Sequence, residues 1–228
     1  THAGMSMCYY STTNRAFLAS SHLNKLYYDP TVTYPVPTKA DGTTYGPSPF
    51  TAAKVDGYLS GSATVNLSSG YRAIMASGSI GTGAKTVFAI SPGGTAGAAF
   101  YYTYTPGCIN SVYSDSCYTQ KALSGAAEQE NFANWYSYHR TRLLAAKAGI
   151  GSAFHQQSTA MRVGYGSINE MASKVGVRQF SGTNRTAFFN WLYTLPPDSG
   201  GTPLRSALTS AGNYFKTEEP WRVDPATS

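Results

Sequence analysis

The strongest periodic signal along the chain is a helical one in its second half. Between residues 126 and 156 apolar side chains recur at steps of three and four, which predicts one amphipathic helix. Glu128 and Glu130 lie in its first turns and basic residues follow, the order that the helix dipole favours. We expect His139 to be a packed histidine, because no other ligating residue stands at a suitable spacing from it. The apolar stripe comprises Phe132, Trp135, Tyr136, His139, Leu143, Ala146, Ile150 and Phe154.

The chain continues with a mixture of strand and helix patterns. Residues 161–169 and 177–180 are predicted as two short strands, and residues 184–195 show helical spacing that Pro196 ends. Asn184 is the predicted N-cap of that helix. From residue 126 onward the order is helix, strand, strand, helix, glycine loop and helix, which predicts part of an α/β layered fold.

A final helix is predicted after a pair of glycines. Gly200 and Gly201 precede Thr202 and Pro203. Because proline suits the first position of a helix, Thr202 is the predicted N-cap. Such a loop is either a binding loop that brings the backbone close to a ligand or an ordinary capped helix. The apolar positions that follow at helical spacing are Leu204, Leu208, Ala211 and Phe215.

The first half of the chain has a different pattern. Residues 1–30 end in a short, imperfect helical pattern that Pro30 stops, and residues 31–125 are predicted as a β-rich insertion before the region 126–228. Asp-Gly pairs at 41–42 and 56–57 predict turns. The predicted strands are ATVNLSS, YRAIMAS, KTVFAIS and AAFYYTYTPG, and the last of them places Phe100, Tyr102 and Tyr104 on one face.

Two motifs in this insertion have alternative interpretations. GSIGTGAKT, residues 78–86, resembles a phosphate-binding loop, but Ala84 separates the second glycine from the lysine, so a hairpin turn is predicted. Cys108 and Cys117 bracket a turn-rich segment, and a disulfide closing it fits an oxidising compartment. Cys8 is left over, either free and buried or paired with a cysteine outside this chain.

The composition narrows the class of protein. Charged residues make up 12% of the chain and hydrophobic residues 42%, which is typical of folded secreted proteins and not of disordered ones. The net charge of +6 is dispersed, so no nucleic-acid-binding surface is predicted. No run of 18 apolar residues is present, and no nucleophile elbow, zinc-protease motif or carboxylate pair indicates an enzyme.

Several longer stretches resemble a known family. SGGTPLRSAL (199–208) is similar to the glycine loop of von Willebrand factor A-type domains, whose metal-ion-dependent adhesion site takes a threonine from it. NKLYYDPTVTY (24–34), DGTTYGPSPFTAAKVDGY (41–58), NFANWYSYHRTRLLAAKAGI (131–150) and NWLYTLPPDSGGTPLRSALTSAGNYF (190–215) resemble the N-terminal region of PilC/PilY-type proteins of bacterial type IV pili. The resemblance covers most of the chain and is weakest over residues 60–125.

The resemblance implies an α/β fold, an incomplete von Willebrand factor A-like (Rossmann-like) domain with a β-rich insertion. Thr202 and Ser6 correspond to metal ligands, but His2 stands where an aspartate is required, and a later aspartate strand is missing. We therefore expect no metal to be bound by this chain alone, with Mg²⁺ possible in a complete parent protein. The missing strands also lead us to expect that the chain is a fragment.

The resemblance further implies a non-enzymatic adhesion and assembly module at the bacterial cell surface, pilus tip, outer membrane or periplasm. Its expected partners are minor pilins, a host or abiotic surface, and a C-terminal β-propeller of the same protein. Tyr102, Tyr104 and Tyr113 are the predicted adhesion surface, although such tyrosines could instead pack the insertion onto the helices. The alternatives are a metal-dependent ligand-binding module of another secreted protein and a structural scaffold for minor pilins.

Overall fold

A computed structural model describes residues 16–82, 85–92, 95–110, 112–169, 174–197 and 201–223. These residues fall into two units. Unit 1 lies within Thr1–Pro37 and Tyr45–Ala148, and unit 2 lies within Thr38–Thr44 and Gly149–Ser228. The division predicted from the sequence at residues 30 and 125 stays a prediction.

Both units combine short strands with helices. The strands are β1 (Ala53–Lys54), β2 (Thr64–Val65), β3 (Ile74–Thr82), β4 (Lys85–Pro92), β5 (Phe100–Tyr104), β6 (Tyr118–Ala122), β7 (Arg162–Tyr165) and β8 (Val175–Gln179). The α-helices are α1 (Gly125–Tyr138), α2 (Arg142–His155), α3 (Gly182–Thr194) and α4 (Leu204–Phe215). Single 3-10 turns are formed by Ala16–Ala19, Phe50–Ala52, Asp115–Cys117 and Glu219–Trp221.

Within the described ranges, every sheet is an antiparallel pair of strands. The pairs are β1 with β2, β3 with β4, β5 with β6, and β7 with β8. The hairpin β3–β4 spans the sequence that resembles a phosphate loop, so the prediction of a hairpin there is confirmed. Strand β6 was not predicted, because its YTQKA sequence shows little apolar alternation; its pairing with β5 defines it as a strand. The A-type fold stays a prediction, since these small sheets do not test it.

The prediction of a single helix over residues 126–156 is wrong. Helix α1 ends at Tyr138 and helix α2 begins at Arg142. His139 leaves helical geometry with φ −133° and ψ −17°, and the Thr141 hydroxyl then accepts the Leu144 N–H at 3.2 Å. A threonine that binds a backbone N–H in the first turn is a helix N-cap, so the chain stops one helix and starts another.

One predicted cap and one predicted helix also differ from the structure. Helix α3 begins at Gly182, two residues before Asn184, whose side-chain amide donates to the Gln179 carbonyl at 3.3 Å. The helical pattern before Pro30 yields only the 3-10 turn Ala16–Ala19. Beyond it, the Asn24 amide donates to the Leu18 carbonyl at 2.7 Å, a local bond that competes with helix continuation.

Both predicted Asp-Gly turns are present. Gly42 has φ +87°, a conformation that favours glycine, and the Asp41 carboxylate accepts the Thr43 N–H at 2.9 Å. In the second turn Asp56 accepts the Tyr58 N–H at 2.9 Å. In each case the aspartate side chain replaces a backbone acceptor, as expected of an Asx turn.

The core of unit 1 is built around helix α1 from aromatic rings. Phe132 and Trp135 on this helix are fully buried, and their rings contact those of Tyr28 (4.9 Å) and Tyr27 (4.9 Å), respectively. Tyr71 packs edge-on against Phe132 at 5.6 Å. The buried cluster consists of Ala19, Tyr27, Tyr28, Ala53, Leu67, Tyr71, Ala99, Tyr101, Phe132, Ala133 and Trp135.

Unit 2 has a smaller aromatic core. Phe188 on α3 contacts Phe154 at 4.7 Å and Phe180 at 5.4 Å, and the Arg185 guanidinium lies 4.8 Å from the Phe180 ring centre. The same guanidinium donates to the His155 carbonyl at 2.8 Å. The phenylalanine rings and this arginine hold α3 against the end of α2.

Candidate functional site

A loop closed by a disulfide forms a constrained, exposed segment of unit 1. Cys108 and Cys117 are joined by a disulfide with their Cα atoms 5.6 Å apart, so this predicted disulfide is confirmed. The Tyr118 hydroxyl donates to the Val112 carbonyl at 2.6 Å, and the Asp115 carboxylate accepts the Ala16 N–H at 2.8 Å. The loop is thus fixed by one covalent bond and at least two hydrogen bonds. Cys8 lies outside the described residues.

This loop presents apolar side chains to solvent. Ile109, next to the disulfide, is 97% exposed, and Tyr113 is 44% exposed with its ring edge-on to Phe17 at 5.8 Å. A backbone held by the neighbouring disulfide loses little further freedom on binding, which favours contact with a partner. The predicted Tyr113 thus lies on the exposed loop, and Ile109 was missed because an isolated aliphatic residue has no sequence pattern.

The two other predicted tyrosines lie on strand β5. Tyr104 stacks on His22 with ring centres 4.0 Å apart, and its neighbour Tyr118 is buried. Tyr102 is half-buried, and its hydroxyl donates to the Gln120 side chain at 3.2 Å. We define the disulfide face as His22, Tyr104, Ile109 and Tyr113. Tyr104 packs against the buried cluster of Phe17, Cys117 and Tyr118, and Tyr113 contacts Phe17.

Other tyrosines of the insertion pack onto helix α1. Tyr71 and Tyr101 are buried in the unit 1 core. The Tyr101 hydroxyl donates to Glu128 at 3.0 Å, and burial, together with this carboxylate, raises the pKa of Tyr101 to about 12. The tyrosines therefore have two roles: some build the core, and others lie at the surface.

Helix α1 also fixes the irregular backbone of residues 24–58 with its side chains. Asn131 donates to the Val32 carbonyl and accepts the Tyr34 N–H, both at 2.8 Å. The Trp135 indole N–H donates to the Leu26 carbonyl at 2.9 Å. Backbone groups that lack a strand or helix partner thereby gain hydrogen bonds to side chains of the helix.

The same helix binds residues 48–57 through its next turn. The side-chain Oδ1 of Asn134 accepts the Ser48 N–H at 2.9 Å, and the hydroxyls of Ser48 and Ser137 are 2.7 Å apart. The Gly57 N–H donates to the Ser137 carbonyl at 2.9 Å. These polar residues were not identified from the sequence. Asn131, Asn134 and Ser137 nevertheless recur at the three-residue spacing of one helix face.

A nearly buried ion pair lies close to this face. The Lys147 ammonium is 3.5 Å from the Asp56 carboxylate, and the lysine side chain is only 1% exposed. Its ammonium also lies 5.4 Å from the centre of the Tyr58 ring. Burial lowers the pKa of Lys147, while the charge of Asp56 opposes that effect. This pair stabilises the Asp56–Gly57 turn against helix α2.

The predicted metal loop is only partly described. Thr202 is exposed, and it is not the N-cap: Pro203 occupies that position, and α4 begins at Leu204 with no side-chain cap hydrogen bond. The Thr202 carbonyl instead accepts the Leu204 N–H at 2.8 Å. Ser6, its predicted partner, lies outside the described residues. Within the described ranges, no group of three or more His, Cys, Asp or Glu side chains could hold a metal ion.

The chain is similar in sequence to type IV pilus proteins. It is 37% identical over 235 residues to the type IV pilus biogenesis factor PilY1 of Pseudomonas aeruginosa strain PAK, covering 94% of this chain and 20% of that protein. It is 37% identical over 217 residues to PilY1 of strain UCBPP-PA14, covering 87% of this chain and 18% of that protein. The chain thus spans about a fifth of the length of the curated relatives that it matches.

The other comparisons are negative. No family model matches the sequence, and no solved structure matches the fold. No helix among the described residues is long and apolar enough to cross a membrane.

Proposed function

We infer that this chain belongs to the family of PilY1-type type IV pilus biogenesis factors and is a non-enzymatic attachment module of such a protein. In this proposal the module lies at the pilus tip on the bacterial surface and contacts a host or abiotic surface through the disulfide face. The parent protein also contacts minor pilins and carries a C-terminal β-propeller that joins it to the pilus.

One observation supports the disulfide face as the contact surface. Among the described residues of unit 1, Ile109 is the most exposed large apolar side chain, and it lies next to a disulfide. Tyr113 on the same loop and Tyr104 beside His22 add aromatic surface. Tyrosine offers a large contact area with both apolar and hydrogen-bonding character, which suits binding to varied surfaces.

The test uses bacteria that carry the parent protein with Ile109→Ser and Tyr113→Ser. We expect surface attachment to fall about tenfold, as it does when a central apolar contact of an interface is removed. Pilus number should not change. The matched control carries Thr119→Ser and Ala122→Ser, two exposed positions on strand β6, and should attach normally.

The two measurements separate attachment from assembly. Loss of attachment with normal pili supports the proposal. Loss of pili together with attachment favours the second function, a structural scaffold for minor pilins. Normal attachment by the double variant contradicts a role for the disulfide face.

A metal-dependent module is a further candidate, favoured by one feature of the Thr202 loop. Thr202 is exposed and its side chain makes no capping bond to α4, so its hydroxyl is not used to start the helix. In a complete parent protein this hydroxyl could serve as one ligand of Mg²⁺ together with carboxylates from other segments. Calorimetric titration of the parent with Mg²⁺ tests this candidate, and Thr202→Ala should abolish the heat of binding.

A further inference from the structure

Helix α4 exposes a row of large apolar side chains. Leu204, Leu208 and Phe215 lie within about 40° of one another around the helix axis, given 3.6 residues per turn. All three are exposed, and Leu208 is exposed by 72%. The Phe215 ring is also 6.5 Å from that of Trp221, which is likewise 72% exposed. We define the α4 face as Leu204, Leu208, Phe215 and Trp221.

The α4 face is one half of a wider apolar sector. The other half begins about 60° away around the axis, where Ala207 is buried and Tyr214 is half-buried. The Tyr214 hydroxyl accepts the Val177 N–H at 2.8 Å, which holds this half of the helix on strand β8. Unit 2 therefore covers Ala207 and Tyr214 and leaves the larger side chains next to them in solvent.

An exposed apolar row of this kind is a candidate binding surface. Single exposed apolar residues are common on protein surfaces, but a contiguous row of leucine, phenylalanine and tryptophan marks a surface that binds another apolar surface. Each large side chain moved out of water stabilises a complex by about 1.5–3 kcal/mol. Arg205 and Lys216, both exposed, border the row and favour acidic residues at the rim of the covering surface.

We propose that the α4 face is an internal docking surface, covered by an apolar, acid-rimmed segment of the same polypeptide outside these 228 residues. The length of the relatives supports a segment of the same polypeptide as the occupant of this face. The aligned segment is 20% of the PilY1 protein of strain PAK, so such proteins hold most of their residues elsewhere in one covalent chain. A tethered segment is present at high effective concentration, which favours it over a separate partner.

Hydroxyl-radical footprinting of the purified parent protein tests this proposal. The modification rates of Leu208, Phe215 and Trp221 are each normalised to intrinsic reactivity and compared with that of Ile109. We expect them to be about fivefold lower than that of Ile109, because a covered side chain exposes little surface. Sedimentation of the same sample establishes whether the parent is monomeric.

A variant of the parent provides the second readout. Leu208→Ser with Phe215→Ser should weaken the docking and raise the modification rate of Trp221 by about fivefold, toward that of an exposed tryptophan. Thr209→Ser with Asn213→Ser, on the polar side of α4, is the matched control and should leave that rate unchanged. Protection of the face in a monomeric parent, released by the first variant, supports the proposal.

Two outcomes overturn the proposal. Rates at the α4 face equal to that of Ile109 in the parent would show that nothing covers it. Protection that appears only when the parent self-associates would assign the face to a second copy instead of to the same polypeptide.

Discussion

One tryptophan of each unit shows how differently the two units expose a large ring. Unit 1 buries Trp135 to 2% exposure within a cluster of tyrosines, whereas unit 2 leaves Trp221 72% exposed beside Phe215. In unit 1 the helix also supplies the polar side chains that its loops need, such as Asn131 and Asn134. Trp135 is therefore a core residue of unit 1, whereas Trp221 is open to the docking that we propose for the α4 face.

The largest expected effect compares these two tryptophans directly. Trp135→Ala should lower the free energy of unfolding of unit 1 by about 3–5 kcal/mol, because it removes a fully buried ring and its bond to Leu26. Trp221→Ala is the matched control and should change the stability of this chain by less than about 0.5 kcal/mol. Chemical denaturation of both variants measures the difference. Equal effects would show that the two tryptophans contribute equally to stability.

The next effect concerns the ion pair of unit 1. Asp56→Asn should destabilise the chain by about 3 kcal/mol, because it leaves the Lys147 ammonium buried without its carboxylate. The double variant Asp56→Asn with Lys147→Met should recover most of that loss, since no buried charge remains. Urea unfolding of the single and double variants checks this, and a double variant no more stable than the single one would show that the charge is not the cause.

A smaller effect is expected from the disulfide of the exposed loop. Replacing Cys108 and Cys117 by serine should lower the free energy of unfolding by about 2–3 kcal/mol, as loop-closure entropy predicts for so short a loop. Thermal unfolding of the oxidised wild type and of the double variant measures it. Unchanged stability would mean that non-covalent contacts, among them the Tyr118 and Asp115 hydrogen bonds, hold the loop without the disulfide.

The smallest effect is a dependence on pH. His139 donates its Nε2 proton to the Pro35 carbonyl at 2.9 Å, and burial lowers its pKa from the ordinary value of 6.5. The unfolded chain therefore binds a proton more readily, so this contribution to stability is present above pH 6.5 and is lost as pH falls through the folded-state pKa. His139→Gln should flatten the change in stability between neutral and mildly acidic pH, and an unchanged slope would assign it to other groups.

Local patterns identified most of the elements and their chemistry. The Asp41–Gly42 turn, the β3–β4 hairpin and the Cys108–Cys117 disulfide follow from residues close together in the chain, where turn preference and loop closure decide the structure. The helix break at His139 was missed because apolar spacing continues through it. The cap that starts helix α2 is a single polar residue, Thr141, which gives little signal in the sequence.

Contacts between distant residues could not be derived in this way. The bonds from Asn131 and Asn134 span about a hundred residues of sequence, and nothing local indicates them. The spacing of Leu204, Leu208 and Phe215 correctly predicts an apolar side of a helix, but spacing does not say whether a surface covers that side. The exposure of Ile109 has the same origin, since only the folded loop places it in solvent.

Adsorption of the purified parent protein to a surface tests the proposed function most directly. The wild type and the Ile109→Ser, Tyr113→Ser variant are compared on the same abiotic surface by a mass-sensitive method, at matched concentration and with circular dichroism to confirm equal folding. We expect the variant to adsorb about tenfold more weakly, because in the proposed function the disulfide face makes the central contact. Equal adsorption by the two proteins would contradict it.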